Sequence, residues 1–447
     1  MKTDLTNNVK EPLRAAIVTL GCKANRYDSS ALEDLLRSTG ISVVAPASDA
    51  DAYIINTCTV TARTDHHSRQ EIRRIRRANR GAIVIVTGCY AQVSPDEINS
   101  IEGVDYIVGN PHKDKIAGLI MKGRALTTEI MVGHGEEGTP LTLRARSSGG
   151  RTRANLKVQD GCDKRCAYCI IPKARGTSRS LPPASIEAEI EAMIEAGYRE
   201  IVLTGIHLGA YGADLPNGES LAALLRMIEK RRFPCRFRVS SLDPDEVTDE
   251  IIDLLASRGS LCNHLHLALQ SGADSIIREM RRPYTASQFR SRVERIWRAV
   301  PEVSIGVDVI AGFPGEGRGE FEATFDLIKD LPISYLHSFP YSKRPGTPAA
   351  AMDGQIDRRE VRQRCERLKC LDLEKRRAFY KASIGTKAEV LIEGGRDKET
   401  GALLGHSRNY IPVAVAPGSA QRCETIEVLL TRYTDKGMIG EPQKDIG

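Results

Sequence analysis

From Ala15 to about Ile130, short apolar β-rich runs alternate with helical segments: Ala15–Leu20, Tyr53–Ile55 and Ala82–Thr87 against Ser29–Ser38, Asp65–Asn79 and Pro95–Ile101. That alternation predicts a parallel α/β sheet domain over residues 12–131. Residues 132–153 turn to Gly, Ser, Thr and Arg with no sustained period of 2 or 3.6, and read as a linker. From 154 to 352 the alternation returns. Runs such as Asn155–Gln159, Glu200–Leu203, Arg236–Ser240, His264–Ala268 and Ser304–Ile310 alternate with Ser185–Ala196, Leu221–Lys230, Asp249–Ser257 and Ala286–Ala299. A partial or full (β/α) barrel follows from that pattern. Residues 353–383 form a connecting basic helix (Arg358–Lys381), and 384–440, with strands expected at Lys387–Ile392, Tyr410–Ala416 and Thr425–Tyr433, a small β-barrel.

Composition agrees with this division. A chain of 447 residues accommodates about three domains of 150 residues. Hydrophobic and charged fractions of 41% and 27% are those of a packed globular protein. The N-terminus offers only the short apolar run Ala15–Leu20, and no stretch approaches the roughly 20 apolar residues of a membrane span. Eleven cysteines, an odd number, fit a reducing compartment better than a disulfide framework. The expectation is a cytoplasmic protein, neither exported nor in the membrane.

The net charge of +6 permits a polyanionic partner, and its placement matters more than its sum. Between Arg63 and Arg80, seven arginines oppose Asp65 and Glu71, a local +5 suited either to a phosphate backbone or to a solvated helix face. From Asp353 to Lys381 ten basic residues oppose six acidic ones, +4, whereas Ile384–Gly447 carries eight against nine, −1. A purely electrostatic role for the terminal module is therefore not expected. Stacking by Tyr410 or a patch around Arg408 remains open to it.

The sharpest chemistry lies in Cys162-Asp163-Lys164-Arg165-Cys166-Ala167-Tyr168-Cys169, just after the first strand of the middle domain. Three thiolates on one loop select zinc or an iron–sulfur cluster. A closed zinc site needs a fourth ligand nearby, and the next candidates are His207 and Cys235. Three ligands on a four-iron cube instead leave one iron open to a small molecule. Zinc, or three cysteines simply buried, are the weaker alternatives.

A second set has a different pattern. Cys22, Cys58 and Cys89 each follow a β-run (Ile17–Leu20, Ile54–Thr57, Val84–Gly88), and carboxyl ends of parallel strands line one crevice. Cysteines far apart in sequence would then converge; three unrelated core cysteines are the alternative. Cys235, Cys262, Cys365, Cys370 and Cys423 show no metal spacing and read as structural.

The C-x3-C-x2-C spacing, with an aromatic before the last cysteine, resembles the radical S-adenosylmethionine (SAM) enzymes. In that superfamily the open iron chelates the methionine part of SAM, which is cleaved to a 5′-deoxyadenosyl radical. Val307-Asp308-Val309-Ile310-Ala311-Gly312-Phe313-Pro314-Gly315-Glu316 resembles the superfamily's glycine-containing strand behind the adenine. Combined with the dispersed cysteines and the terminal β-module, the chain resembles the methylthiotransferases over almost its whole length. Thr19-Leu20-Gly21-Cys22-Lys23-Ala24-Asn25, Asn56-Thr57-Cys58-Thr59-Val60, Leu203-Thr204-Gly205-Ile206-His207-Leu208-Gly209 and Gly405-His406-Ser407-Arg408-Asn409-Tyr410 resemble the threonylcarbamoyladenosine tRNA subgroup.

The resemblance implies two [4Fe-4S] clusters, one on Cys162, Cys166 and Cys169 and one on Cys22, Cys58 and Cys89. It also implies SAM as cofactor, tRNA as substrate, an external electron donor, an unidentified sulfur source and a terminal RNA-binding TRAM-like barrel. The expected reaction adds a methylthio group to C2 of the modified adenosine beside the anticodon. Isopentenyladenosine tRNA, a ribosomal protein, or a non-catalytic iron–sulfur RNA-binding role are the rival readings. Because C2–H offers no acidic proton, no His/Asp catalytic dyad is expected. Thr204, Gly205, Gln270, Asp308 and Gly312 are the candidate SAM contacts.

Overall fold

The computed structural model describes residues 12–133, 141, 144–145 and 152–443. The chain divides into two compact units: residues through Ala145 together with Lys173–Arg175, and the remainder. Most of the expected linker 132–153 lies outside the described residues.

The first unit holds a six-stranded, wholly parallel sheet in the order β2-β1-β3-β4-β5-β6. Its strands are β1 (Arg14–Thr19), β2 (Ser42–Val44), β3 (Ala52–Thr57), β4 (Ile83–Gly88), β5 (Tyr106–Val108) and β6 (Glu129–Met131). Alternate residues face opposite layers. Ala15, Ala52, Ile54 and Ile85 join Leu32, Leu36, Ile116 and Ile120 on one side. Ala16, Tyr53, Ile55, Val84 and Val86 join Ile72, Ile75, Tyr90 and Ile98 on the other. Three-residue strands such as β2, β5 and β6 carry too short an apolar run to be recognised by periodicity. The first helix extends over Lys23–Ser38, six residues earlier than the pattern predicts. Its opening turns bury Asn25, Asp28 and Ser29, polar residues that hide the helix from a hydropathy reading.

In the second unit, β7 (Arg153–Lys157), β8 (Gln159–Asp160), β9 (Arg179–Ser180), β10 (Glu200–Thr204), β11 (Arg236–Val239), β12 (His264–Gln270), β13 (Ser304–Ala311) and β14 (Tyr335–Pro340) follow in order. Two parallel sheets, β11-β10-β7 and β12-β13-β14, are joined by the single bridges Phe237↔Leu261 and Leu242↔Leu267. The expected barrel is thus of the partial kind, an open arc of six parallel strands with β7 and β14 at its ends. The small pair β8–β9 is antiparallel and was not anticipated.

A 25-residue helix, Arg358–Ala382, leads to the closed barrel of β15 (Lys387–Arg396), β16 (Leu403–Ser407), β17 (Pro412–Val415), β18 (Thr425–Thr434) and β19 (Gly437–Pro442). Val390, Ile392, Val413, Val428 and Leu430 fill it.

This barrel is fastened beneath the amino ends of the arc's strands. Glu200, wholly buried at the start of β10, accepts bonds from Arg236 Nε (2.7 Å) and Arg238 Nε (2.9 Å). The same two arginines donate onward to the carbonyls of His406 (2.8 Å), Arg408 (2.9 Å) and Ser407 (3.3 Å). Tyr410, with φ +66°, lies under the Arg238 guanidinium and against His264 and His406. Arg408 donates to the carbonyls of Gly259 and Leu261, 2.6 Å each. Tyr410 and Arg408, the residues left open for stacking or a basic patch, both take part in the junction between barrel and arc.

The connecting basic helix also carries internal ion pairs. Arg364 is buried against Glu316 at 2.7 Å, Arg367 pairs with Glu322, and Arg376 pairs with Asp372 and caps the ring of Tyr335. Two of these pairs, to Glu316 and Glu322, draw on acids outside the helix and offset part of its local +4.

Candidate active site

β1, β3 and β4 are neighbours, and Cys22, Cys58 and Cys89 follow their carboxyl ends. Parallel register brings those ends level, with Thr19 opposite Asn56 and Thr57 opposite Gly88. Burial pushes the Cys58 thiol up to about 12, and the like charges of Cys89 and Cys22 push the same way, which reflects the proximity of the three. Two glycines make room. Gly21 has φ +98° and a Cβ there would fall 2.4 Å from that of Cys58; Gly88 has φ +97° and a Cβ would strike the Thr57 carbonyl at 2.3 Å.

Sequence reasoning missed the polar frame around Cys89. Arg175 Nε donates to its sulfur at 3.3 Å, and Asn110 Nδ2 approaches it at 3.8 Å. Arg175 Nη2 also donates to Asn25 Oδ1 (2.5 Å) and Asp28 Oδ2 (3.1 Å), and Lys113 Nζ reaches Asp28 at 2.6 Å. All the charged members are almost completely buried. Burial without a partner for thiolates would be costly; a cationic donor beside sulfur lowers that cost.

The triplet occupies a loop of the second unit after β8. Gly161 has φ +77°, and a Cβ there would lie 1.8 Å from the Thr177 carbonyl, so only glycine admits this turn. Burial raises the Cys169 thiol to about 12, with Cys166 and Cys162 contributing. Arg282 Nη1 donates to Cys166 Sγ at 3.3 Å and its guanidinium pairs with Asp243. Lys164, inside the triplet, pairs with Asp243 and Glu246, the latter at 2.7 Å, and His207 pairs with Glu246. Burial opposes protonation of His207, but bonds to Cys162 and Glu246 prevail and move it up to about 9. Asp243 and Glu246 also close a reciprocal cap on one 3-10 turn, a signal the Asp-x-x-Glu spacing offered.

The donor chemistry fits iron–sulfur clusters. Each set supplies three soft thiols and an adjacent guanidinium. Among the described residues the groupings compact enough for one ion are His266/Asp308/His337 and His207/Asp243/Glu246. Neither thiol set is that compact, as expected for ligands on different irons of a cube.

The candidate SAM contacts fall into two groups. Gln270 and Asp308 face the concave side of the arc; Gln270 has φ +60° at a register shift in β12, a local strain of the kind found at functional sites. Thr204 is buried, Gly205 packs against Gln159 and Leu208, and Gly312 turns against Val361. One grouping on this face was not legible in the sequence. Asp308 Oδ1 lies 2.9 Å from His266 Nε2 and 3.5 Å from His337 Nδ1, residues brought together from three strands.

Residues 14–109 match the uncharacterized protein family UPF0004, and residues 156–328 the radical SAM superfamily. The threonylcarbamoyladenosine tRNA methylthiotransferase MtaB of Bacillus subtilis is 39% identical over 409 residues, 89% of each chain. A tRNA-2-methylthio-N(6)-dimethylallyladenosine synthase of Frankia alni is 34% identical over 425 residues, 93% of this chain and 85% of that one. In fold the chain is similar to the radical SAM methyltransferase TsrM of Kitasatospora setae, at TM-score 0.56 and 18% identity, over 76% of this chain and 75% of that one. Near-complete coverage at such identity, together with two converging sets of three cysteines, has one meaning: the chain belongs to the threonylcarbamoyladenosine tRNA methylthiotransferase family of radical SAM enzymes.

Proposed function

We propose that the protein adds a methylthio group to C2 of N6-threonylcarbamoyladenosine beside the anticodon of tRNA, in the cytoplasm. The observation that carries this reading is the pair of three-cysteine sets, one at the carboxyl ends of adjoining sheet strands and one on the glycine-hinged loop of the arc. On this reading residues 12–131 form the sulfur-donating domain, 154–352 the radical SAM domain, 353–383 the connecting helix and 384–440 the TRAM-like barrel. Cys162, Cys166 and Cys169 hold one [4Fe-4S] cluster, Cys22, Cys58 and Cys89 the other, and Gln270, Asp308, Thr204, Gly205 and Gly312 border SAM. When bound, SAM and the clusters would supply the radical that removes the C2 hydrogen, the methyl group, and the cluster-held sulfur that joins it to C2, with electrons from an external donor and that sulfur replenished from an outside source.

The residues of the chain itself orient and shield. Arg282 and the Lys164–Asp243–Glu246–His207 group fix the triplet loop, while Arg175 and Asn110 fix the Cys89 sulfur. Arg175→Met is accordingly expected to lower iron retention at Cys22, Cys58 and Cys89. The check is iron and sulfide per chain in a background with Cys162, Cys166 and Cys169 replaced by Ala, compared with Arg175→Lys, which keeps the charge.

For tRNA, the helix Ala62–Ala78 presents Arg63, Arg73 and Arg77, and Arg80 follows it, all exposed. Arg69 is excluded because it is tied to Glu97 at 2.7 Å and to Tyr90. Replacing Arg63, Arg73 and Arg77 by Ala should weaken tRNA binding without regard to sequence and flatten its salt dependence by about 0.9 per lost duplex phosphate contact. A binding titration at several salt concentrations measures it; an unchanged slope would place the tRNA elsewhere.

Incubating the reconstituted enzyme with tRNAs carrying either modification, then analysing nucleosides by mass spectrometry, tests the substrate. Methylthiolation of the isopentenyl tRNA alone would overturn the reading. Among the described residues no helix is long and apolar enough to cross a membrane.

A further inference from the structure

The concave face of the arc is polar where β12, β13 and β14 meet. On β13, Val307, Val309 and Ala311 are buried while Asp308 and Ile310 between them are half open. Ala268 and Gln270 are half open on β12, and on β14, where Ser338 and Pro340 are open as well, the register sets His337 beside Asp308 and Phe339 beside Ile310. In a β/α arc one strand face is covered by helices and the other lines the lumen, with the active site at the carboxyl ends. Asp308, Ile310, His337 and Phe339 are cross-strand neighbours on one face, the lumen side of this part of the arc.

A built hydrogen-bond chain stands beneath them. His264 Nε2 lies 2.8 Å from the Tyr335 hydroxyl, which lies 3.1 Å from His266 Nδ1; His266 Nε2 in turn meets Asp308. Although burial opposes ionisation, the imidazoles of His266 and His337 hold the Asp308 carboxyl well below its usual range. His337 turns Nδ1 to this carboxylate; as the imidazolium, in which both ring nitrogens donate, it presents Nε2–H to a second anion, and its side chain is 51% exposed. Phe339 follows on the same face, 44% exposed, its ring centroid 6.4 Å from that of His337. The order along β14 matters. A base entering from the carboxyl ends meets Phe339 first, and His337 lies two residues deeper, about 7 Å along the strand.

We propose that β14 carries the recognition subsite for the modified base: Phe339 packs on the adenine, and His337, oriented by Asp308, receives the carboxylate at the end of the N6 arm. The inference rests on the function proposed above and names the chemistry by which an anionic arm is separated from an apolar one. A site that hydrogen-bonds a substrate group rejects analogues lacking it, because its own polar atoms are then left unpaired.

The test uses the reconstituted holoenzyme and two anticodon stem–loops, one with threonylcarbamoyladenosine and one with its threoninamide, which lacks the carboxylate. The wild type is expected to favour the acid by roughly ten- to a hundred-fold in kcat/KM, the range of a hydrogen bond to a charged group. His337→Ala should bring the ratio close to one and His337→Gln should restore part of it, with iron and sulfide per chain unchanged in both. Phe339→Ala should raise KM for both RNAs alike, and Phe339→Tyr should reverse the rise. A wild type that treats the two RNAs equally, or a His337→Ala variant that keeps the full preference, overturns the subsite while leaving methylthiolation standing. A preference that disappears with EDTA and returns with Zn²⁺ would assign His266, Asp308 and His337 to a metal ion and overturn the direct contact. If the wild type modifies neither RNA but does modify the isopentenyl one, the proposed function itself falls.

Discussion

Replacing Glu200 by Ala is expected to destabilise the second unit by about 3–5 kcal/mol, the usual result of leaving buried charges without their partner. Three cations surround this carboxylate. Arg236 and Arg238 are buried with it, and Arg153 stands 3.8 Å away. Their remaining donors hold His406, Ser407 and Arg408, so the loss should reach the junction with the terminal barrel. Urea denaturation would show a lower midpoint, and limited proteolysis a faster cut near Ser383–Lys387. Glu200→Gln, which keeps the shape without the charge, should fall between. An unchanged midpoint in the Ala variant would mean the cage contributes no net stability. The pH dependence has a definite sign. Burial disfavours the carboxylate, but the arginines outweigh it and hold Glu200 well below the usual range. Its contribution is thus complete above the ordinary carboxylate pKa of about 4 and is lost as pH falls from there toward the depressed value.

The second large effect is expected at the cysteines. With Cys162, Cys166 and Cys169 replaced by Ala, about half of the iron and sulfide should remain, on Cys22, Cys58 and Cys89, if each set holds one four-iron cluster. Loss of all iron from a folded variant would refute two independent sites. Cys58→Ala is the reciprocal experiment. It should still release 5′-deoxyadenosine from SAM yet form no methylthio product, because only the triplet loop carries the Arg282 and His207 contacts and the SAM-binding spacing. Failure to cleave SAM in a folded Cys58→Ala protein would count against this division. The five remaining cysteines bear on neither result: Cys262, for example, is buried near Arg238 and its thiol is pushed up by burial.

Local chemistry was written in the chain. Cys162, Cys166 and Cys169 are close in sequence, so any loop that contains them gathers them, and their spacing alone implied an iron–sulfur site. The apolar runs at Ile17, Ile54 and Val84 placed Cys22, Cys58 and Cys89 at strand ends, because a continuous apolar strand belongs inside a parallel sheet. The family resemblance rested on such short motifs and survived comparison with whole chains. What sequence could not supply were meetings between side chains on different strands. His266, Asp308 and His337 are 42 and 29 residues apart along the chain, and only the parallel register of β12, β13 and β14 makes them one group. Arg175 reads as one more basic residue until folding sets it against Cys89. For Tyr410 and Arg408 the sequence left a role in RNA contact open, because an aromatic and a cation are chemically suited to bases and phosphates, and it gave no sign of the contacts they make inside the chain. Tertiary structure decided those contacts, since the buried Glu200, Arg236 and Arg238 needed partners at the amino ends of the arc and the loop's carbonyls supplied them. Spacing fixes which residues share a loop or a strand face; strand order and register fix which charges are buried together, and burial then determines what each charge is free to do.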